Sequence, residues 1–364
     1  MKIMIIIIIL FNFSKLYSLY TIKPVKNLIV NHYYNIEINY DTNLFPKKVD
    51  NYVEFYFPYT NFNIVFLSGN FVNWEPNKIM MKKLGGKFLA KLKLDNGKNY
   101  QYKFVTPIGW MEDPNNPEVV DDSFAGFNSV LKIDKNGNIL EPKIIKIFDR
   151  KSESKNFILF TRTNDIKNEY SCFVILSWCE SIFNYLTNTL NIKEIYTNKI
   201  MIRYRKQKSS NASAVTVGNI VTFTYPSFNY SIVTHELTHI LAKNSANIFL
   251  SEGLATYIGS EIPEDYSLEL ILKLNAIINK LRIYIPLNEI FKKSNFILDK
   301  NVSILYTESG AFFKFMFDNY NKENIMNFYY SGKIEDLNEK SFEELEYKFT
   351  NYINKFKIEY TNLK

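Results

Sequence analysis

A chain of 364 residues with 46% apolar and 16% aromatic side chains is long enough for two domains with separate cores, and too apolar to remain disordered. Its formal charge of +7 comes from Lys and Arg scattered among Asp and Glu, so no basic face for a nucleic acid is expected. Two cysteines exclude a disulfide-stapled scaffold and argue against zinc held by thiolates.

The first twenty residues, MKIMIIIIILFNFSKLYSLY, place one Lys ahead of about ten apolar residues, the short hydrophobic region of a secretory signal; a spanning helix needs roughly twenty. Residues 1–18 are therefore read as a signal peptide, or as a short anchor if uncleaved. The expected destination is periplasmic, extracellular or cell-surface. Residues 19–50 follow as an N-terminal segment whose His32 is read as structural or surface.

From 51 to 134 the runs NIVFLSGNF, KFLAKLKL and NYQYKFVT alternate in the period of a strand and are separated by the turn signals EPNK, LGG and DNG. That pattern predicts a small antiparallel sandwich. VFLSGNFVNWEP, GKFLAKLKLDNGKNYQYKFVTPIGWMEDPNNP and GFNSVLKI, in this order and spacing, resemble the glycogen-binding domain of the AMP-activated protein kinase beta subunit, carbohydrate-binding module family 48. The resemblance implies an all-β, Ig-like (E-set) sandwich whose sugar face uses Trp74, Lys103, Trp110 and Asn128. Indole faces suit the apolar faces of pyranose rings, and an ammonium and an amide suit their hydroxyl rim. The alternative is a docking or spacer module in which both tryptophans pack on neighbours.

Alternation stops over 135–155, IIKIFDRKSESKN being charged and Ser-containing, so a linker is placed there and a second domain over 156–362. This domain opens with the strand-like FILFTRT and a helical run, NEYSCFVILSWCESIFNYLTNTL. Cys172 and Cys179 lie in that run, about 10 Å apart along a helix axis and beyond disulfide reach, and are read as core thiols. KIMIRYRK and AVTVGNIVTFTY read as strands, and helices dominate from Leu268 onward.

Between these lies IVTHELTHILAKNSANIFLSEGLATY. His235 and His239 are at i and i+4 and share one helix face, where they can hold one metal ion, and Glu236 is placed to polarise a water on it. The chain has three histidines, and two of them make this pattern with a Glu between. A zinc site for hydrolysis needs a third ligand, and Glu252, a carboxylate in an apolar segment, supplies it.

HELTH followed by FLSEGLATY resembles the gluzincin metallopeptidases, through the signature of the aminopeptidase-N branch, and the compact domain resembles the peptidase MA-like family. The resemblance implies an α+β zincin-like domain with one Zn2+ on His235, His239 and Glu252, Glu236 as general base, and an edge strand, AVTVGNIVTF, to pair with a peptide or protein substrate. Tyr306 lies about as far beyond Glu252 as the catalytic tyrosine of the aminopeptidase branch and is the candidate oxyanion donor. The motif that binds a free N-terminus in that branch is missing, so endopeptidase rather than aminopeptidase activity is expected. Thr256 stands where thermolysin-like relatives have an Asp that orients a histidine, and Tyr257 is read as packing. The function expected is an exported zinc metallopeptidase carrying a carbohydrate-binding-type module, with a glucan or glycoprotein as its ligand. The alternative is a non-catalytic carbohydrate-binding surface protein with a degenerate peptidase-like domain; the second domain is too short for a (β/α)8 glycosidase barrel.

Overall fold

A computed structural model of the chain describes residues 25, 27–34, 40–58, 62–107, 109–145, 147–192, 198–206, 214–225, 229–243, 245–261, 268–293 and 301–356. The signal segment expected at 1–18 lies outside the described residues. The strands before the linker region are β1 (Asn31–Tyr34), β2 (Lys47–Val49), β3 (Tyr52–Phe57), β4 (Phe66–Gly69), β5 (Ile79–Met80), β6 (Lys82–Leu84), β7 (Lys87–Leu92), β8 (Asn99–Thr106), β9 (Gly109–Met111), β10 (Val119–Asp121) and β11 (Phe127–Lys132).

Alternation along these runs builds a two-sheet sandwich. One sheet has the order β2-β3-β7-β6, the other β10-β11-β8-β4-β5 with β9 also on β8, and every pairing is antiparallel. Every second residue points inward: Phe55 and Phe57 from one sheet meet Tyr102 and Phe104 from the other, with ring centroids 5.0 Å (Phe55–Tyr102) and 4.8 Å (Phe57–Phe104) apart. Tyr102 carries its hydroxyl into that core and donates it to Asp113 at 2.6 Å. Burial raises the Asp113 carboxyl to about 7, against the bond from Tyr102.

The third sheet is mixed. It contains β12 (Arg150–Glu153), β13 (Phe157–Thr161), β14 (Ile200–Lys206), β15 (Ala214–Val217) and β16 (Ile220–Tyr225), in the order β1-β12-β13-β14-β16-β15. β13, β14 and β16 run parallel, and the long connection that parallel strands need between β13 and β14 contains α1 (Glu169–Leu190). Cys172 and Cys179 on α1 are free and fully buried. AVTVGNIVTFTY, which reads as one run, folds as the hairpin β15–β16, because Gly218 at φ 62 opens a two-residue turn with Asn219. β1 crosses from the N-terminal segment to β12, where the His32 Nδ1 lies 2.9 Å from the Ser152 hydroxyl.

The C-terminal part is mostly helical: α2 (Tyr230–Leu241), α3 (Ile248–Glu261), α4 (Leu268–Lys280), α5 (Leu287–Ile290), α6 (Val302–Asn319), α7 (Lys322–Ser331) and α8 (Phe342–Ile353). The α2 and α8 N-termini are capped by Asn229 and Ser341, whose side chains accept from the N–H of Ile232 and Glu344. Glycines let α3 approach its neighbours closely. A Cβ added at Gly253 would lie 2.7 Å from the Phe313 ring and 2.8 Å from the Ser309 carbonyl oxygen. One added at Gly259 would lie 2.9 Å from the Ser231 carbonyl oxygen.

The described residues fall into two compact units. One takes 27–177 and 196–228, the sandwich together with the mixed sheet; the other takes 178–195 and 229–364, the helices. The segment 135–155 thus lies inside the first unit and ends in β12.

Candidate functional site

In the helical unit, α2 presents His235 and His239 one turn apart, with ring centroids 4.8 Å apart and their Nε2 atoms 3.1 Å apart. α3 delivers Glu252, whose Oε2 lies 3.3 Å from the His235 Nε2 and 3.4 Å from the His239 Nε2. One ligand atom from each residue thus falls within 4.8 Å of the others. The set is mostly buried, and the Glu252 Oε2 reaches both imidazoles at ion-pair distance without making a well-directed hydrogen bond. A buried carboxylate oxygen and two ring nitrogens converging on one point suit a shared cation, and two imidazoles with one carboxylate form a donor set that zinc takes.

The electrostatics agree with that fit. Burial opposes charge on His239, but the Glu252 carboxylate outweighs it and holds the imidazole up at about 9. Burial likewise raises Glu252, and the two histidines pull it well below the usual carboxylate range. The cluster therefore stabilises positive charge at its centre.

Around this centre the structure brings together the remaining expected residues. Glu236, 9% exposed, follows His235 on α2, and its charge is felt at both His239 and Tyr306. Tyr306 arrives from α6 with its ring centroid 6.4 Å from that of His235. Burial, then the charges of Glu252 and Glu236, raise its phenol far above the ordinary value, so it keeps its proton and remains a donor. Tyr257 packs as its position suggests, stacked on Phe317 at 4.9 Å and donating to Glu261 at 2.6 Å. Thr256 contributes nothing polar: its hydroxyl is buried without a hydrogen bond, and its methyl faces Gly310. Ser251 is the partner that sequence reasoning missed, its hydroxyl 3.1 Å from the His239 Nδ1. The available signal was its place directly before the ligand carboxylate.

The sandwich carries the second candidate site. Residues directly opposite in an antiparallel pair share a face. Val105 opposes Trp110 and Lys103 opposes Ser68, which puts Trp110 and Lys103 on the outer face of the second sheet; Gln101 and Asn128 meet there too, the amide of Asn128 donating to the Gln101 side chain at 3.0 Å. Trp74 joins them from a turn in which Asn73 and Trp74 both adopt left-handed backbone, φ 53 and φ 60. That conformation costs about 1 kcal/mol for a residue with a Cβ, and it sets the Trp74 ring 6.3 Å from that of Trp110. Both tryptophans are half-buried, whereas Lys103 and Asn128 are 9% and 8% exposed. The Lys103 ammonium is paired with Asp122.

Residues 53–139 match the family described as the glycogen recognition site of AMP-activated protein kinase. Over 71 residues the chain is 38% identical to 5'-AMP-activated protein kinase subunit beta-2 of Homo sapiens, covering 20% of this chain and 25% of that protein. To subunit beta-1 of Sus scrofa it is 35% identical over 71 residues, covering 20% of this chain and 55% of that protein. The chain thus spans about a quarter to about half of the length of these curated relatives. The sandwich is a carbohydrate-binding module of the glycogen-recognition type. The histidine cluster lies outside the matched residues.

Proposed function

We propose that the chain is a zinc metallopeptidase of the gluzincin type, with a zincin-like second domain, an endopeptidase that carries a glucan-binding module. The observation that carries this reading is the convergence of the His235 Nε2, the His239 Nε2 and the Glu252 Oε2 within 4.8 Å, with a Glu one residue beyond the first histidine. Zinc held by these three would lower the pKa of a water and polarise a scissile carbonyl. Glu236 then takes the proton of the attacking water and returns it to the leaving amine. Tyr306, its phenol kept protonated, donates to the oxygen on which negative charge develops. Ser251 orients the His239 ring by its contact at the Nδ1.

The test is Glu236→Gln assayed on an unbiased peptide library. The variant should still take up zinc and should lose about 10²- to 10⁴-fold in hydrolysis; full activity in it would sink the mechanism. We further propose that residues 1–18 direct export, which cell fractionation and N-terminal sequencing of the recovered protein test. On the sandwich, Trp74 and Trp110 are proposed to stack on a glucan or the glycan of a glycoprotein, with Lys103 and Asn128 at its rim.

A second reading is favoured by one observation: residues 53–139 match a glycogen-recognition family. On that reading the protein binds carbohydrate and cleaves nothing. Retention on glycogen, lost in a Trp74→Ala, Trp110→Ala double variant, together with no chelator-sensitive proteolysis, is its expected signature.

A further inference from the structure

We propose that β14 docks on the edge of the sandwich beside the face that carries Trp110, Lys103 and Asn128, and that a glucan chain bound to that face competes with this docking. The inference rests on the glucan reading of the module and is independent of the metallopeptidase reading.

The sandwich and the mixed sheet belong to one unit. Along β14, Ile202 and Tyr204 are buried on one side, so by alternation Arg203 and Arg205 share the other. Arg203 pairs with Glu112, two residues past Trp110. Arg205 reaches the sandwich at three points: its Nη1 lies 2.8 Å from the Asp121 Oδ2, its Nη2 donates to the Gly126 carbonyl at 2.9 Å, and its guanidinium sits 4.1 Å from the Phe127 ring centroid. A guanidinium only 6% exposed is far from its usual solvated state, and the sandwich compensates it with charge, hydrogen bond and ring together.

These contacts reach the residues a sugar would need. Asp122, beside the Asp121 held by Arg205, pairs with Lys103 and accepts from the N–H groups of Phe124 and Gly126, so the loop between β10 and β11 is folded onto the lysine. The Asn128 amide is engaged by Gln101. At the other end of the face, a Cβ added to Gly109, which has φ +120, would lie 3.6 Å from the Val217 methyls at the tip of the β15–β16 hairpin. Both rim donors are thus committed to protein partners, while the Trp74–Trp110 pair stays half-open. A glucan that recruits Lys103 and Asn128 must displace Asp122 and loosen the loop that Arg205 holds.

The experiment titrates the full chain with maltoheptaose, a linear glucan, and follows tryptophan fluorescence. Arg203→Gln/Arg205→Gln should bind about tenfold tighter than the unsubstituted protein, a coupling of ordinary size for two mutually exclusive events. Trp74→Ala placed in that variant should abolish the gain. Glu112→Gln/Asp121→Asn severs the same pairs from the sandwich side and should gain similarly; it decides the matter if the arginine variant does not fold, as judged by circular dichroism. Equal affinity in the unsubstituted and substituted proteins overturns the competition and leaves the glucan reading standing. Absence of binding in every protein overturns both. A gain that survives Trp74→Ala also overturns the proposal, because the glucan would then be held elsewhere.

Discussion

Glu252 shows how much one side chain constrains the chemistry. A carboxylate in an apolar stretch is costly to bury alone, and the fold resolves that cost by aiming its Oε2 at two imidazole nitrogens, 3.3 Å and 3.4 Å away. The pairing of His235 with His239 was legible because a one-turn repeat fixes which helix positions share a face, and Glu252 stood out as a carboxylate in an apolar segment. Ser251 was not, since its partner depends on how α3 packs on α2. Ser251→Ala should weaken zinc affinity about 10- to 100-fold while the fold is kept, which competition with a chelating dye would measure; unchanged affinity would remove it as the orienting group. Glu308 was equally hidden within YTESGAFF. It is 2% exposed, accepts from the Ile285 N–H at 3.0 Å, and burial followed by the nearby Glu346 charge holds it up at about 8, from an ordinary 4.5. Between those two values the folded chain binds more protons than the unfolded one, so stability should fall as pH rises through that window. Unfolding free energies from urea titrations at pH 5 and pH 8.5 should differ by up to a few kcal/mol in the unsubstituted protein and by much less in Glu308→Gln; a free energy independent of pH in both would contradict the assignment.

At the scale of elements, the alternating runs of the sandwich and the helical stretch around the histidines were readable because each is a local pattern. The hairpin β15–β16 was harder, since GN interrupts a run whose apolar character continues on both sides. β12 was masked by RKSE, four residues with no apolar alternation; its Arg150 is 1% exposed and is accepted by the Thr161 hydroxyl at 3.0 Å across the sheet. The closeness of α3 and α6 rests on Gly253 and Gly310, and nothing in the sequence distinguishes a glycine of close approach from one that merely weakens a helix. Substituting Gly253 by Ala forces a methyl to within 2.7 Å of Phe313 and 2.8 Å of the Ser309 carbonyl oxygen, both on α6. Overpacking of this kind costs about 1–3 kcal/mol. Thermal denaturation of Gly253→Ala should show that loss, and zinc affinity should fall with it because Glu252 precedes the displaced position; a variant as stable as the unsubstituted protein would contradict the close packing.

For the whole molecule, composition and pattern correctly gave a sandwich followed by a mostly helical part. The grouping of the sandwich with the mixed sheet could not be read. It includes ion pairs between residues 84 and 91 positions apart, Asp121 with Arg205 and Glu112 with Arg203, for which a sequence carries no periodicity. The family match covers the module, and the metallopeptidase reading rests on the histidine cluster. The most direct measurement is metal analysis of the purified full chain after equilibration with zinc and removal of the excess. One zinc per chain is expected, lost in His235→Ala and in Glu252→Ala, with both variants folded by circular dichroism. A folded chain with His235, His239 and Glu252 intact that retains no stoichiometric zinc would contradict it.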